Sequence, residues 1–218
     1  KISYAQFAKD IENLGAALLE KNLKRVCLIG NNRYEWLVSY LAITTAGLTV
    51  VPLDKSLPDN EIISLIERSE ADGIIFSEKY ANAVNTSKES IKNLTTICMD
   101  SSNNFEMLNT LLKKGEEVDH SKYNDLKIDN KAMSIMLFTS GTTNIAKAFM
   151  ISQYGICMNL YSLSQMIDIN TKDKFLSFLP LHHTFESSTT FLFGTSCGIT
   201  VVLCDGLKYI QQNLVEFH

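Results

Sequence analysis

The spacing of hydrophobic residues changes period again and again along the chain. Tyr4, Phe7, Ala8, Ile11, Leu14, Leu18 and Leu19 recur at helical spacing. Ser3 stands where it can cap this helix, with Gln6 reaching back and Ile2 stapled onto Phe7. Residues 25–29 form a short apolar run closed by Gly30-Asn31-Asn32, the pattern of a buried strand. A second helix follows, with Asn32 and Glu35 as a capping pair and Tyr34, Leu37, Val38 and Leu41 facing inward. Gly47 suits its end, because glycine enters the left-handed conformation without steric cost.

The alternation continues with strands at 48–53, 73–77 and 95–99 and helical stretches at 59–69 and 78–94. Residues 101–131 are rich in Asn, Lys and Glu around one helical stretch at 105–113, so they read as a surface excursion. An apolar run at 133–137 brings the chain back inside, and a second apolar run, 149–151, favours a strand. A helix at 153–167, a strand at 175–179, a helix at 187–196, a strand at 199–203 and a closing helix complete the pattern. Strands alternating with amphipathic helices through short loops predict βαβ units, hence an α/β fold with a largely parallel sheet.

Composition narrows the function classes. The chain has 218 residues, 45% hydrophobic and 20% charged, which is the profile of a globular protein with a sizeable core. Its net charge is −4 and its basic residues are scattered, so no nucleic-acid partner is expected. Any polyanionic ligand must be held by local chemistry. The five cysteines include no CxxC pair and read as free thiols of a reducing compartment. The most apolar region, 191–204, is broken by Gly194 and Gly198 and predicts a helix and a strand rather than a membrane span. Starting at Lys1 and stopping on a helix-like run, the sequence has the look of part of a longer protein.

The candidate chemistry lies at residues 138–148, FTSGTTNIAKA. A run of Thr, Ser and Gly between apolar segments offers backbone amides and hydroxyls, and Lys147 adds a positive charge; together these suit polyphosphate oxygens. A Walker-type loop is excluded. That pattern needs glycine at Ala146 and Ser or Thr at Ala148, with the lysine opening a helix, whereas Phe149-Met150-Ile151 favours a strand.

FTSGTTNIAKA resembles the phosphate-binding signature [YF]TSGTTGxPKG of the AMP-forming acyl-CoA synthetases and other adenylate-forming enzymes. Thr139, Ser140, Gly141, Thr142, Thr143 and Lys147 match, while Asn144, Ala146 and Ala148 replace Gly, Pro and Gly. Three further segments match in order: Ser3-Tyr4 with its helix, Ala46-Gly47 through Val51-Pro52-Leu53-Asp54, and Leu179-Pro180-Leu181-His182-His183-Thr184-Phe185-Glu186. The last resembles the form found in long-chain fatty acyl enzymes.

The resemblance implies ATP-dependent conversion of a carboxylic acid, in the long-chain form a fatty acid, to an acyl-adenylate. Coenzyme A then takes the acyl group. It implies that Thr139, Ser140, Gly141, Thr142, Thr143 and Lys147 hold the outer phosphates of ATP. His183 would lie at the acyl carboxylate as the catalytic histidine, with His182 beside it in the substrate site. Glu186 matches a frequent glutamate of the long-chain group, which leaves a magnesium role and a structural role both open. ATP, Mg2+ and coenzyme A are the implied cofactors. The fold implied is part of a large N-terminal AMP-binding domain spanning 1–218, made of two stacked α/β lobes, 1–32 with 174–218 and 33–173. The family's adenine-contacting motifs and small C-terminal domain do not occur in these residues, so they alone are not expected to turn over substrate. Adenylating ligases for other acids or carrier proteins, and a non-catalytic nucleotide- or acyl-binding relative, are the alternatives. Cytoplasmic residence, with peripheral contact at a membrane for a greasy substrate, completes the expectation.

Overall fold

The computed structural model describes residues 1–139 and 146–217. The first helix, α1 (Tyr4–Leu19), starts as its sequence predicts: Ser3 Oγ accepts the Gln6 N–H at 3.2 Å. The Gln6 side chain does not reach back, however, and donates instead to Asp10 Oδ1 at 2.8 Å. Phe7 packs its ring against Tyr34, with centroids 5.7 Å apart.

Seven strands form the main sheet: β1 (Arg25–Ile29), β2 (Thr49–Pro52), β3 (Gly73–Phe76), β4 (Thr95–Cys98), β5 (Glu106–Met107), β6 (Met133–Thr139) and β7 (Lys147–Ser152). Their order is β5-β4-β3-β1-β2-β6-β7. All pairings are parallel except that of β6 with β7, which is antiparallel. The helices are α2 (Tyr34–Thr45), α3 (Asp59–Ser69), α4 (Ala81–Ser90), α5 (Leu108–Glu117), α6 (Ser121–Asn124) and α7 (Gln153–Met166).

Alternation along β1 explains how this sheet is covered twice. Successive strand residues face opposite sides, so Val26 and Leu28 join one core and Cys27 and Ile29 the other. The first core takes Leu14 and Leu18 of α1 and Trp36, Leu37 and Ile43 of α2. The second takes Ile62 and Ile66 of α3 and Ala83 and Val84 of α4. Burial on both faces is why the strands read as unbroken apolar runs. Gly47, at φ 71°, closes α2 in the left-handed region, as expected.

The Asn32–Glu35 capping pair is not formed. Arg33 is the N-cap and has no side-chain capping bond; it pairs with Glu35 at 2.7 Å instead. Asn32 is engaged elsewhere, as described below.

A second, two-stranded parallel sheet joins β8 (Lys174–Ser177) and β9 (Thr200–Leu203). Between them the predicted helix is a wide π-type coil, Glu186–Leu192, tightening to an α turn at Phe193–Ser196. By strand pairing, β1 stands in the sheet built by residues of 33–173, not with the sheet of β8 and β9. Among the described residues no helix is long and apolar enough to cross a membrane.

Candidate active site

Strand direction gathers the polar groups at one place. In a parallel sheet the residues that follow each strand meet at its carboxyl edge, where α/β folds bind ligands. Asn32 follows β1, Asp54 follows β2, and Thr139 ends β6, which lies parallel beside β2. These three positions therefore share one edge.

Thr139 and Lys147 stand directly opposite each other where β6 and β7 open into their connection, and both are exposed. Ser140, Gly141, Thr142 and Thr143, expected to hold phosphates, lie outside the described residues. Lys147 begins a strand, not a helix, in keeping with exclusion of the Walker pattern. Among the described residues its ammonium makes no ion pair. Phe138 and Ala146, which adjoin Thr139 and Lys147, are held from the side by Arg68, near the end of α3. Its guanidinium lies 5.5 Å from the Phe138 ring centroid and donates to the Ala146 carbonyl. Nothing in the local sequence marks Arg68, because the contact exists only once α3 packs beside the hairpin.

The segment 179–186 forms the second half of the candidate site. Leu181 is buried at 2% exposure and anchors it in the first core. His182 and His183 separate, as expected for neighbours. His182 turns inward, its Nε2 3.3 Å from Asp54 Oδ1, and burial holds its pKa below the ordinary histidine value. Burial alone would raise the Asp54 carboxyl. Bonds from the Ser56 hydroxyl and amide, with the charges of His182 and Lys55, outweigh this and hold it below the usual range.

His183 is exposed, and its Nδ1 accepts the Phe185 N–H at 3.3 Å. A backbone N–H can only donate, so in the neutral ring the proton sits on Nε2 and points away from that turn. Such an imidazole can donate a hydrogen bond to a carboxylate oxygen. No hydrogen bond or ion pair joins the histidine turn to Thr139 or Lys147 among the described residues. The two groups share the sheet edge without touching.

Glu186 is buried at 1% exposure. Thr190 Oγ1 donates to its Oε2 at 3.3 Å, while Oε1 has no partner among the described residues. Burial pushes its pKa above the ordinary glutamate value, and the nearby hydroxyls of Ser177 and Thr190 offset only part of this. These oxygens are not presented to an ion arriving from solvent. No group of three or more His, Cys, Asp or Glu that could hold a metal ion occurs among the described residues. Burial and the Thr190 bond favour the structural role for Glu186.

A pH test follows from that burial. The folded protein holds the Glu186 proton more tightly than the unfolded chain does. The stability tied to the protonated form is thus complete below the ordinary glutamate pKa and lost as pH rises through the raised folded value. Glu186→Gln removes the titration. In thermal melts of the intact protein, the variant is expected to melt above wild type at neutral pH, with the difference vanishing by about pH 4. A constant difference across that range would contradict a buried, raised Glu186.

The fold and this edge define a class: an α/β domain whose parallel strand β6 ends on a hydroxyl-rich sequence, with a histidine turn whose ring accepts a backbone N–H. Residues 1–216 match the model of the AMP-binding enzyme family, and the chain belongs to that family. It is 30% identical over 212 residues to long-chain-fatty-acid–CoA ligase 5 of Rattus norvegicus, covering 85% of this chain and 30% of that protein. It is 28% identical over 223 residues to chalcone synthase cfoA of Aspergillus candidus, covering 98% of this chain and 8% of the other. Among solved structures, ATP-bound MatB from Rhodopseudomonas palustris superposes with a TM-score of 0.78 at 20% identity, covering 93% of this chain and 40% of that one. The chain thus spans less than half the length of each of these proteins.

Proposed function

We propose that the intact protein activates a long-chain fatty acid with ATP and transfers the acyl group to coenzyme A. The acid's carboxylate attacks the α-phosphorus of ATP; the bond to the bridging oxygen breaks, and pyrophosphate leaves. The thiol of coenzyme A then gives its proton to solvent, attacks the acyl carbonyl and expels AMP.

The observation that carries this reading is the opposition of Thr139 and Lys147 at the mouth of the TSGTT connection, on the edge where parallel strands end. Negative charge grows on the departing pyrophosphate, and a cation with hydroxyl and amide donors favours its release. His183, with Nε2–H directed outward, suits the carboxylate that must be oriented for attack. The fatty acyl choice rests on the LPLHHTFE segment and the likeness to the rat ligase.

The test is acid-dependent ATP–pyrophosphate exchange by the intact protein, with fatty acids from short to long. Exchange that appears with long-chain acids supports the reading and sets the chain length. Exchange only with another carboxylate class would move the protein to a different ligase activity. ATP binding without exchange for any acid would make it a non-catalytic relative.

A further inference from the structure

Asn32 lies in the turn between β1 and α2, at the carboxyl edge, with β2 on one side of β1 and β3 on the other. Its side chain crosses to a segment 147 residues away. Nδ2 donates to the Leu179 carbonyl at 2.6 Å, and Oδ1 accepts the Leu181 N–H at 3.1 Å. A residue in a parallel sheet bonds in just this fashion: its N–H to the carbonyl before the residue opposite, and its C=O to the N–H after it. The Asn32 amide thus imitates a strand residue opposite Pro180. The Leu179 carbonyl and the Leu181 N–H are the two backbone groups that a stretch centred on Pro180 turns to that side, and the side-chain amide meets both.

The turn that carries His183 hangs directly from this clasp. The Pro180 carbonyl accepts the His183 N–H at 3.0 Å, and the His183 carbonyl accepts the Ser187 N–H at 3.1 Å. Phe185 N–H then locks the imidazole through Nδ1. A chain of hydrogen bonds therefore runs from the Asn32 side chain through the backbone of this turn to the His183 ring.

We infer that Asn32 is a positioning residue for His183: it holds the histidine turn against the main sheet without touching substrate. The inference rests on the activity proposed above, and its test separates the two. In the intact protein, Asn32→Ala is expected to lower kcat of fatty-acid-dependent exchange about tenfold and raise KM for the acid, with KM for ATP within about twofold of wild type. A merely structural role would reduce the active fraction and leave both KM values alone. Asn32→Asp keeps the acceptor for Leu181 N–H but sets a carboxylate oxygen against the Leu179 carbonyl. It should fare no better than Asn32→Ala, and it supplies the comparison if the alanine variant does not fold. Wild-type kcat and acid KM in either variant would overturn the assignment.

If the wild-type protein exchanges no pyrophosphate with any acid, the functional reading falls and hydrogen exchange decides the clasp. Faster exchange of the Leu181 and His183 amides in Asn32→Ala, with the β1 amides unchanged, supports it. Unchanged protection overturns it.

Discussion

Lys147→Ala in the intact protein should slow acid-dependent ATP–pyrophosphate exchange by about a hundredfold while leaving thermal stability nearly unchanged. The size follows from what removing one preorganised donor to a developing anion costs, about two to three powers of ten in kcat. The selectivity follows from position. Lys147 is exposed at the first residue of an edge strand and forms no ion pair among the described residues, so the fold loses little with its side chain. A surface substitution of this kind stays within about 0.5 kcal/mol. Unaltered exchange at subsaturating ATP would remove Lys147 from the phosphate site. A large fall in melting temperature would show that it serves the hairpin and not the nucleotide.

The second large effect lies in the core. Trp36 is 1% exposed and stacks on Tyr40, with centroids 5.4 Å apart and planes 18° from parallel. Tyr40 in turn meets Phe191 edge-on at 6.1 Å, which couples α2 to the π-type coil that follows the histidine turn. Truncating a buried tryptophan removes its transfer free energy and leaves a cavity, together about 3–5 kcal/mol. Trp36→Ala is therefore expected to destabilise the protein by that amount in denaturant titration. Activity should fall only through the folded fraction, with KM for ATP preserved. A loss below about 1 kcal/mol would mean that the two helical segments are not coupled through this stack.

Much of this arrangement is legible in local patterns. Each apolar run bounded by turn residues became a strand within a residue or two: 25–29 became β1 without shift, and 73–77 became Gly73–Phe76. Burial on both faces is a demand that local composition can state, since every position of such a strand must be apolar. Ser3 capped α1 because a cap needs only neighbours three residues away. The division into lobes 1–32 with 174–218 and 33–173 came from the resemblance; pairing set β1 between β2 and β3.

The site divides in the same way. Thr, Ser, one glycine and a lysine between two apolar runs raised polyphosphate binding as an expectation that the family resemblance strengthened, and two adjacent histidines announce that one must turn from the other. Which faces inward depends on Asp54, which stands far away in sequence. Asn32 shows the boundary most clearly: nearby residues made it a helix cap, yet it found better partners in Leu179 and Leu181. Glu186 followed the same logic, its carboxyl enclosed by elements that meet only in the folded state. Sequence by itself determined most of the elements and the parallel α/β character, because periodicity and capping act between near neighbours. Tertiary structure alone decided the partners of Asn32, Arg68 and His182, because each contact joins residues brought together only by packing.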